Sequence, residues 1–145
     1  AAATAIPENF EEKGENLAVS SRPDALALFN PVFDNGPGGY GHDRVKDYWK
    51  RISPMHHISK TTPPTIVFLG TKDHLIPVAT AGKYKKLMEA SGVRCDLHLY
   101  EGQTHGFFNR NKGGGKKFDE TLMELDGFLV SLGYLKGSDS KGAEE

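Results

Sequence analysis

The chain has 145 residues, with 18 basic against 19 acidic side chains and a formal charge of -1. That is enough length for one ordinary domain, and the balanced charge gives no basic surface for nucleic acid. A single cysteine excludes an internal disulfide and a multi-cysteine zinc site, and no stretch approaches the roughly 18 apolar residues of a membrane span.

The opening Ala1-Ala2-Ala3-Thr4-Ala5-Ile6 lacks an initiator methionine and reads as the end of a helix already under way, stopped by Pro7. Residues 8–22 are polar and aperiodic, a surface loop. Residues 25–29, ALALF, form a short buried strand that Asn30-Pro31 ends. Residues 34–41, DNGPGGYG, then make a turn-rich loop. It lacks the Gly-Lys-Ser/Thr ending of a Walker loop, and its glycines do not fit a dinucleotide fingerprint, so it is read as the rim or lid of a pocket. Residues 45–52 are read as a short amphipathic helix with Val45, Tyr48, Trp49 and Ile52 on one side, closed by Ser53-Pro54.

Residues 65–69, TIVFL, run without a charge, the pattern of a strand covered on both faces in a parallel sheet. Gly70 and Thr71 break the run and Asp73 follows, just past the strand's C-terminal end, where open α/β sheets keep their chemistry. Pro77 suits the first turn of a helix over 78–90, with Val78, Ala81, Tyr84, Leu87 and Met88 facing inward and Ser91-Gly92 as its stop. Residues 93–100 alternate apolar and polar, a strand with one less buried face at the sheet edge, beside the central one. The loop 101–111 carries His105. Beyond Gly113-Gly114-Gly115, the residues Phe118, Leu122, Leu125, Leu129 and Leu132 advance by four, three, four and three, the inner stripe of a last helix that Gly133 ends. Residues 138–145 are read as a disordered tail behind a folded part spanning 1–137. The element order requires crossover connections, so the fold class is α/β, a three-layer α/β/α with parallel strands.

Asp73 and His105 end neighbouring strands, so the two loops converge. A carboxylate beside a histidine is the usual acid–base unit; the plain alternative for Asp73 is a carboxylate bonding its own turn. Phe33, Tyr40, Phe107 and Phe108, with His42 of the glycine-rich loop, are the pocket candidates. Cys95 falls on the apolar face of its strand as a buried small hydrophobe. No HExxH or three-ligand pattern points to a metal. Nor is a nucleophile apparent: Ser20, Ser21, Ser53, Ser59, Ser91 and Ser131 all lack Gly-x-Ser-x-Gly surroundings.

The segments LFNPVFDNGPGGYG (28–41), PTIVFLGTKDHLIP (64–77) and LYEGQTHGFFN (99–109) resemble the C-terminal half of an α/β-hydrolase of the esterase/lipase group. The resemblance is to bacterial, planctomycete-type lipases, esterases and acetyl-xylan-esterase-like enzymes. It implies the second half of an α/β-hydrolase fold, with Asp73 as the acidic triad member and His105 as the general base. It also implies that the nucleophile serine, in a GGSAGGH-like motif, and the oxyanion donors precede Ala1, so that this chain by itself is inactive. The intact protein is then a carboxylic ester hydrolase acting on a small ester, acylated carbohydrates included, with no metal or organic cofactor. A secreted or periplasmic location is compatible with it. The strand at 25–29 would expose the edge where the missing half-sheet belongs, and the expected partners there are that half or a second copy of the chain. Three alternatives stay open: a non-enzymatic flavodoxin-like binding module, an inactive truncated fragment, and a related peptidase or dienelactone-type hydrolase with a cysteine nucleophile.

Overall fold

The computed structural model describes residues 13, 14, 16, 18–20 and 22–137. The expected helix end at 1–6 and the tail at 138–145 lie outside the described residues. Two compact units divide at Gly106 and Phe107.

The first unit is built on three parallel strands, β1 (Leu26–Phe29), β2 (Thr65–Gly70) and β3 (Cys95–Tyr100), in the order β1-β2-β3. Leu26 pairs with Thr65 and Phe29 with Phe68; Thr65 pairs in turn with Cys95 and Gly70 with Tyr100. All six residues of β2 are buried, as its unbroken apolar run requires of a strand with neighbours on both sides. Residues 93–100 enter the ladder only at Cys95, because the Val93 N–H is spent on Met88 O (2.9 Å) in the stop of the preceding helix.

That helix, Val78–Ala90, has the bounds its sequence indicates. Ala81, Tyr84 and Met88 are buried and join Leu26, Leu28, Val67, Leu69 and Cys95 in one core. Leu87, expected inside, is 36% exposed: the buried stripe follows the 81-84-88 row, and Leu87 sits about 100° round from Met88. On the other sheet face, the rings of Phe29 and Phe68 stack at 4.7 Å.

The segment 42–57 departs from its apolar periodicity. The expected helix over 45–52 is two four-residue turns, α1 (His42–Val45) and α2 (Trp49–Ile52), followed by a 3₁₀ turn at Pro54–His56. Tyr48, at φ -137° and ψ 12°, leaves the helical region between them, and its side chain is exposed. Polar contacts organise this segment instead. Buried Ser53 Oγ accepts from Asn35 N (2.9 Å) and donates to Asp34 Oδ1 (3.2 Å), which also accepts from Gly36 N (2.8 Å) and lies 3.5 Å from His56 Nε2. A Cβ at Gly39 would overlap the Asp34 carbonyl oxygen, so the glycines of 34–41 serve close packing of the loop on itself. With Val78–Ala90 as α3, the second unit holds a 3₁₀ turn at Gly113–Gly115 and α4 (Lys116–Ser131). The buried positions of α4 are Thr121 and Phe128, whereas Leu122 of the expected inner stripe is 39% exposed.

Candidate active site

The ends of β2 and β3 are knitted together by backbone. Thr71 N donates to Tyr100 O (3.0 Å), Lys72 N to Gln103 O (2.9 Å), and Gly102 N to Thr71 Oγ1 (2.8 Å). This requires contact closer than a side chain allows. A Cβ at Gly70 would overlap Gln103 O, and Thr104 O lies 3.1 Å from the same position. The parallel register therefore delivers Asp73 and His105 to one place: each follows its strand's end by a few residues, and the two loops are bonded to each other.

There, His105 Nδ1 lies 2.9 Å from Asp73 Oδ2. An ionised carboxylate only accepts, so Nδ1 carries the proton and Nε2 is left as the basic nitrogen. The other carboxylate oxygen, Oδ1, accepts from Leu75 N (2.8 Å) and Ile76 N (3.1 Å). Asp73 thus bonds its own turn through one oxygen and holds the histidine through the other. The Asp73 side chain is fully enclosed while that of His105 is 46% exposed. An enclosed carboxylate beside a half-exposed imidazole is an arrangement in which the imidazole can meet a ligand without losing its partner.

Asn30, which ends β1, is a member of the site that sequence reasoning treated only as a strand stop. It is 5% exposed, and its Nδ2 donates to Asp73 Oδ2 and lies 3.4 Å from His105 Nδ1. The available signal was an amide-bearing residue at the C-terminal end of the strand neighbouring that of Asp73. Gly70 was likewise read only as a break.

Burial by itself raises the carboxyl pKa of Asp73, but the N–H groups of Leu75, His105 and Ile76 outweigh it and hold the group below its ordinary 3.8. Asp34 is also lowered: burial opposes, and Gly36 N, Ser53 and His56 prevail. A depressed carboxylate contributes stability that is complete above the unfolded-state value and lost as pH falls through the folded value. The thermal midpoint should therefore fall as pH drops below about 4, with a shallower fall in Asp34→Asn and Asp73→Asn.

The pocket candidates are placed differently. Phe33 is 1% exposed with its ring 4.4 Å from that of Tyr84, so it belongs to the core and not to a pocket wall. Tyr40 is exposed beneath the Arg44 guanidinium (5.4 Å), and His42 Nδ1 is 2.8 Å from Asn35 O, which ties both residues into the 34–45 segment. Phe107 is buried and stands edge-on to Phe108 at 5.5 Å. Cys95 is 3% exposed, and burial pushes its thiol up to about 11, so it is a core residue and no nucleophile. Among the described residues no group of three or more His, Cys, Asp or Glu is arranged to hold a metal ion, and no helix is long and apolar enough to cross a membrane.

Gly70→Ala tests the close approach. The added methyl must separate backbone from backbone, so we expect a loss of about 1–3 kcal/mol in urea unfolding. We also expect a weaker Asp73–His105 contact, read as a changed His105 ring environment by NMR.

Residues 10–126 match the model of the dienelactone hydrolase family. The native structure of esterase 2 (Est2) from the planctomycete Thermogutta terrifontis is 33% identical with a TM-score of 0.86, over 95% of this chain and 52% of that one. The same esterase phosphorylated by paraoxon is 36% identical with a TM-score of 0.83, over 94% and 51%. Acetylxylan esterase from Xylanibacter ruminicola is 35% identical over 129 residues, 77% of this chain and 25% of that enzyme. The chain thus spans about half the length of the solved esterases and a quarter of the acetylxylan esterase. Its fold is the three-layer α/β/α arrangement of these structures, with a parallel sheet.

Proposed function

The chain belongs to the dienelactone hydrolase family and carries a fold related to carboxylic-ester hydrolases, and from that premise we propose that it supplies the acid–base pair of a serine esterase. The observation that carries this reading is the bond between enclosed Asp73 and open His105 at the ends of adjacent parallel strands.

In this reading the nucleophile serine and the oxyanion donors lie in sequence outside these 145 residues. The half-length match to the solved esterases supports that division. As the serine Oγ attacks the ester carbonyl, His105 Nε2 takes its proton, and Asp73 stabilises the imidazolium. When the tetrahedral intermediate collapses, the C–O bond to the alcohol breaks and His105 passes the proton to the leaving oxygen. Water then repeats the cycle on the acyl-enzyme and releases the acid. The similarity to an acetylxylan esterase supports a small acyl ester as substrate, acylated carbohydrates among them. The edge of β1 that is unpaired among the described residues takes, in this reading, the strand that bears the serine; pairing of two copies of this chain is the alternative, which light scattering distinguishes.

The test is p-nitrophenyl acetate hydrolysis by a protein extending N-terminally from this chain, with and without paraoxon, beside the 145-residue chain alone. Paraoxon-sensitive turnover in the longer protein, and none above free imidazole in the short one, supports the reading. Turnover blocked by a thiol reagent and not by paraoxon favours the second reading, a cysteine nucleophile, which the family match also accommodates. Cys95 is not that cysteine, being buried with its thiol pushed up.

A further inference from the structure

We infer that Asn30 is a positioning residue for the Asp73–His105 pair: its side-chain amide holds the carboxylate oxygen that His105 uses, and so sets the direction in which the imidazole is presented. The inference rests on the reading of that pair as the acid–base unit.

Three observations converge on this side chain. First, the backbone aims it. The Asn30 N–H donates to Phe68 O (2.9 Å), which extends the β1–β2 ladder by one residue, and the chain then turns at φ 45°. Asn30 is the one non-glycine residue at positive φ among the described residues. Asparagine tolerates that conformation better than most residues, but glycine tolerates it best. Backbone geometry alone therefore does not call for a side chain here.

Second, Asn30 is buried, 5% exposed as a residue, and its Nδ2 is spent on Asp73 Oδ2. With Leu75 N and Ile76 N on Oδ1 and His105 Nδ1 on Oδ2, the carboxylate then has two donors on each oxygen. Four donors fill the acceptor sites of a carboxylate and hold its plane against rotation. His105 is left one approach to Oδ2, because Nδ2 of Asn30, 3.4 Å from His105 Nδ1, occupies the other.

Third, the amide is the one group of this shape that donates to Oδ2 without adding charge. Aspartate at 30 would fit the same space and the same φ but set a second carboxylate against Asp73. Glycine would fit the backbone and leave Oδ2 with a single donor. The amide also carries a cost, since Asn30 Oδ1 is buried with no partner among the described residues. The bond from Nδ2 to Asp73 Oδ2 offsets it.

The test reads the carboxylate directly. In the 145-residue chain, ¹³C-carboxyl NMR follows the titration of Asp73 in the parent, Asn30→Gly and Asn30→Asp. Loss of a donor raises the Asp73 midpoint in Asn30→Gly by about 0.5–1 pH unit, with thermal stability held because glycine suits the φ. In Asn30→Asp the two carboxyls titrate as a coupled pair, with one midpoint above 3.8. An Asp73 titration unchanged in a folded Asn30→Gly, or in Asn30→Asp should the glycine variant not fold, overturns the inference. Neither readout needs turnover, so the result stands apart from the esterase reading. In the longer protein, Asn30→Gly should lower kcat about tenfold at unchanged KM, as misorientation of a base does. Turnover that depends on His105 but not on residue 30 overturns the positioning role and leaves the esterase reading in place.

Discussion

On the proposed esterase reading, His105→Ala in the longer protein should lower kcat for p-nitrophenyl acetate by roughly 10⁶-fold, the scale found when the base of a catalytic triad is removed. The geometry makes this a loss of chemistry and not of fold. The His105 side chain is 46% exposed and sits in a loop, whereas the Asp73 carboxylate keeps its bonds to Leu75 N, Ile76 N and Asn30 Nδ2 when the imidazole is gone. Stability should therefore stay within about 1 kcal/mol of the parent by thermal unfolding. A variant that keeps most of its turnover would remove His105 from the mechanism, whatever its contact with Asp73.

Asp73→Asn should cost about 10⁴-fold in kcat, and for a different reason. The two N–H groups of Leu75 and Ile76 require an acceptor at the Oδ1 position. An amide that keeps its oxygen there must turn its NH₂ toward His105 Nδ1 and Asn30 Nδ2, setting donor against donor. The imidazole relieves this by moving its proton to Nε2, the nitrogen that takes the serine proton in the proposed mechanism. The side chain is fully enclosed, so the lost charge-assisted bonds should also cost about 1–3 kcal/mol of stability. Steady-state kinetics with urea unfolding on the same preparation separates the two effects. A stability loss with kcat unchanged would reduce Asp73 to a turn-holding role.

The two variants differ usefully in pH response. His105→Ala removes the base at every pH, so its residual rate should follow hydroxide. Asp73→Asn leaves an imidazole in the wrong tautomer, so its residual rate should stay above that of His105→Ala across the same pH range. A kcat/KM profile over pH distinguishes a missing base from a misdirected one.

Much of the sheet was legible because it rests on short-range patterns. The uncharged run at 65–69, the Pro77 start and Gly92 stop of α3, and Asp73 and His105 at the ends of β2 and β3 all follow from residue type and period. The segment 42–57 was not legible. Its apolar residues suggested one helix, but the contacts among Asp34, Ser53 and Asn35, up to 19 residues apart, broke it into short turns. A hydrophobic period does not register hydrogen bonds between distant polar groups. Phe33 was misplaced for a related reason: a ring in a loop looks the same whether it lines a pocket or, as here, lies against Tyr84.

What the sequence determined by itself is the order of the three strands with α3 and α4, and the placing of Asp73 and His105 past the ends of neighbouring strands, because periodicity and strand-end chemistry are written locally. What only the tertiary structure decided is the company those two residues keep. Asn30 reaches Asp73 across 43 positions, and the absence of a side chain at Gly70 lets the β2 end close on Gln103. Both are through-space relations set by the parallel register of β1, β2 and β3, and register arises only when the strands have paired.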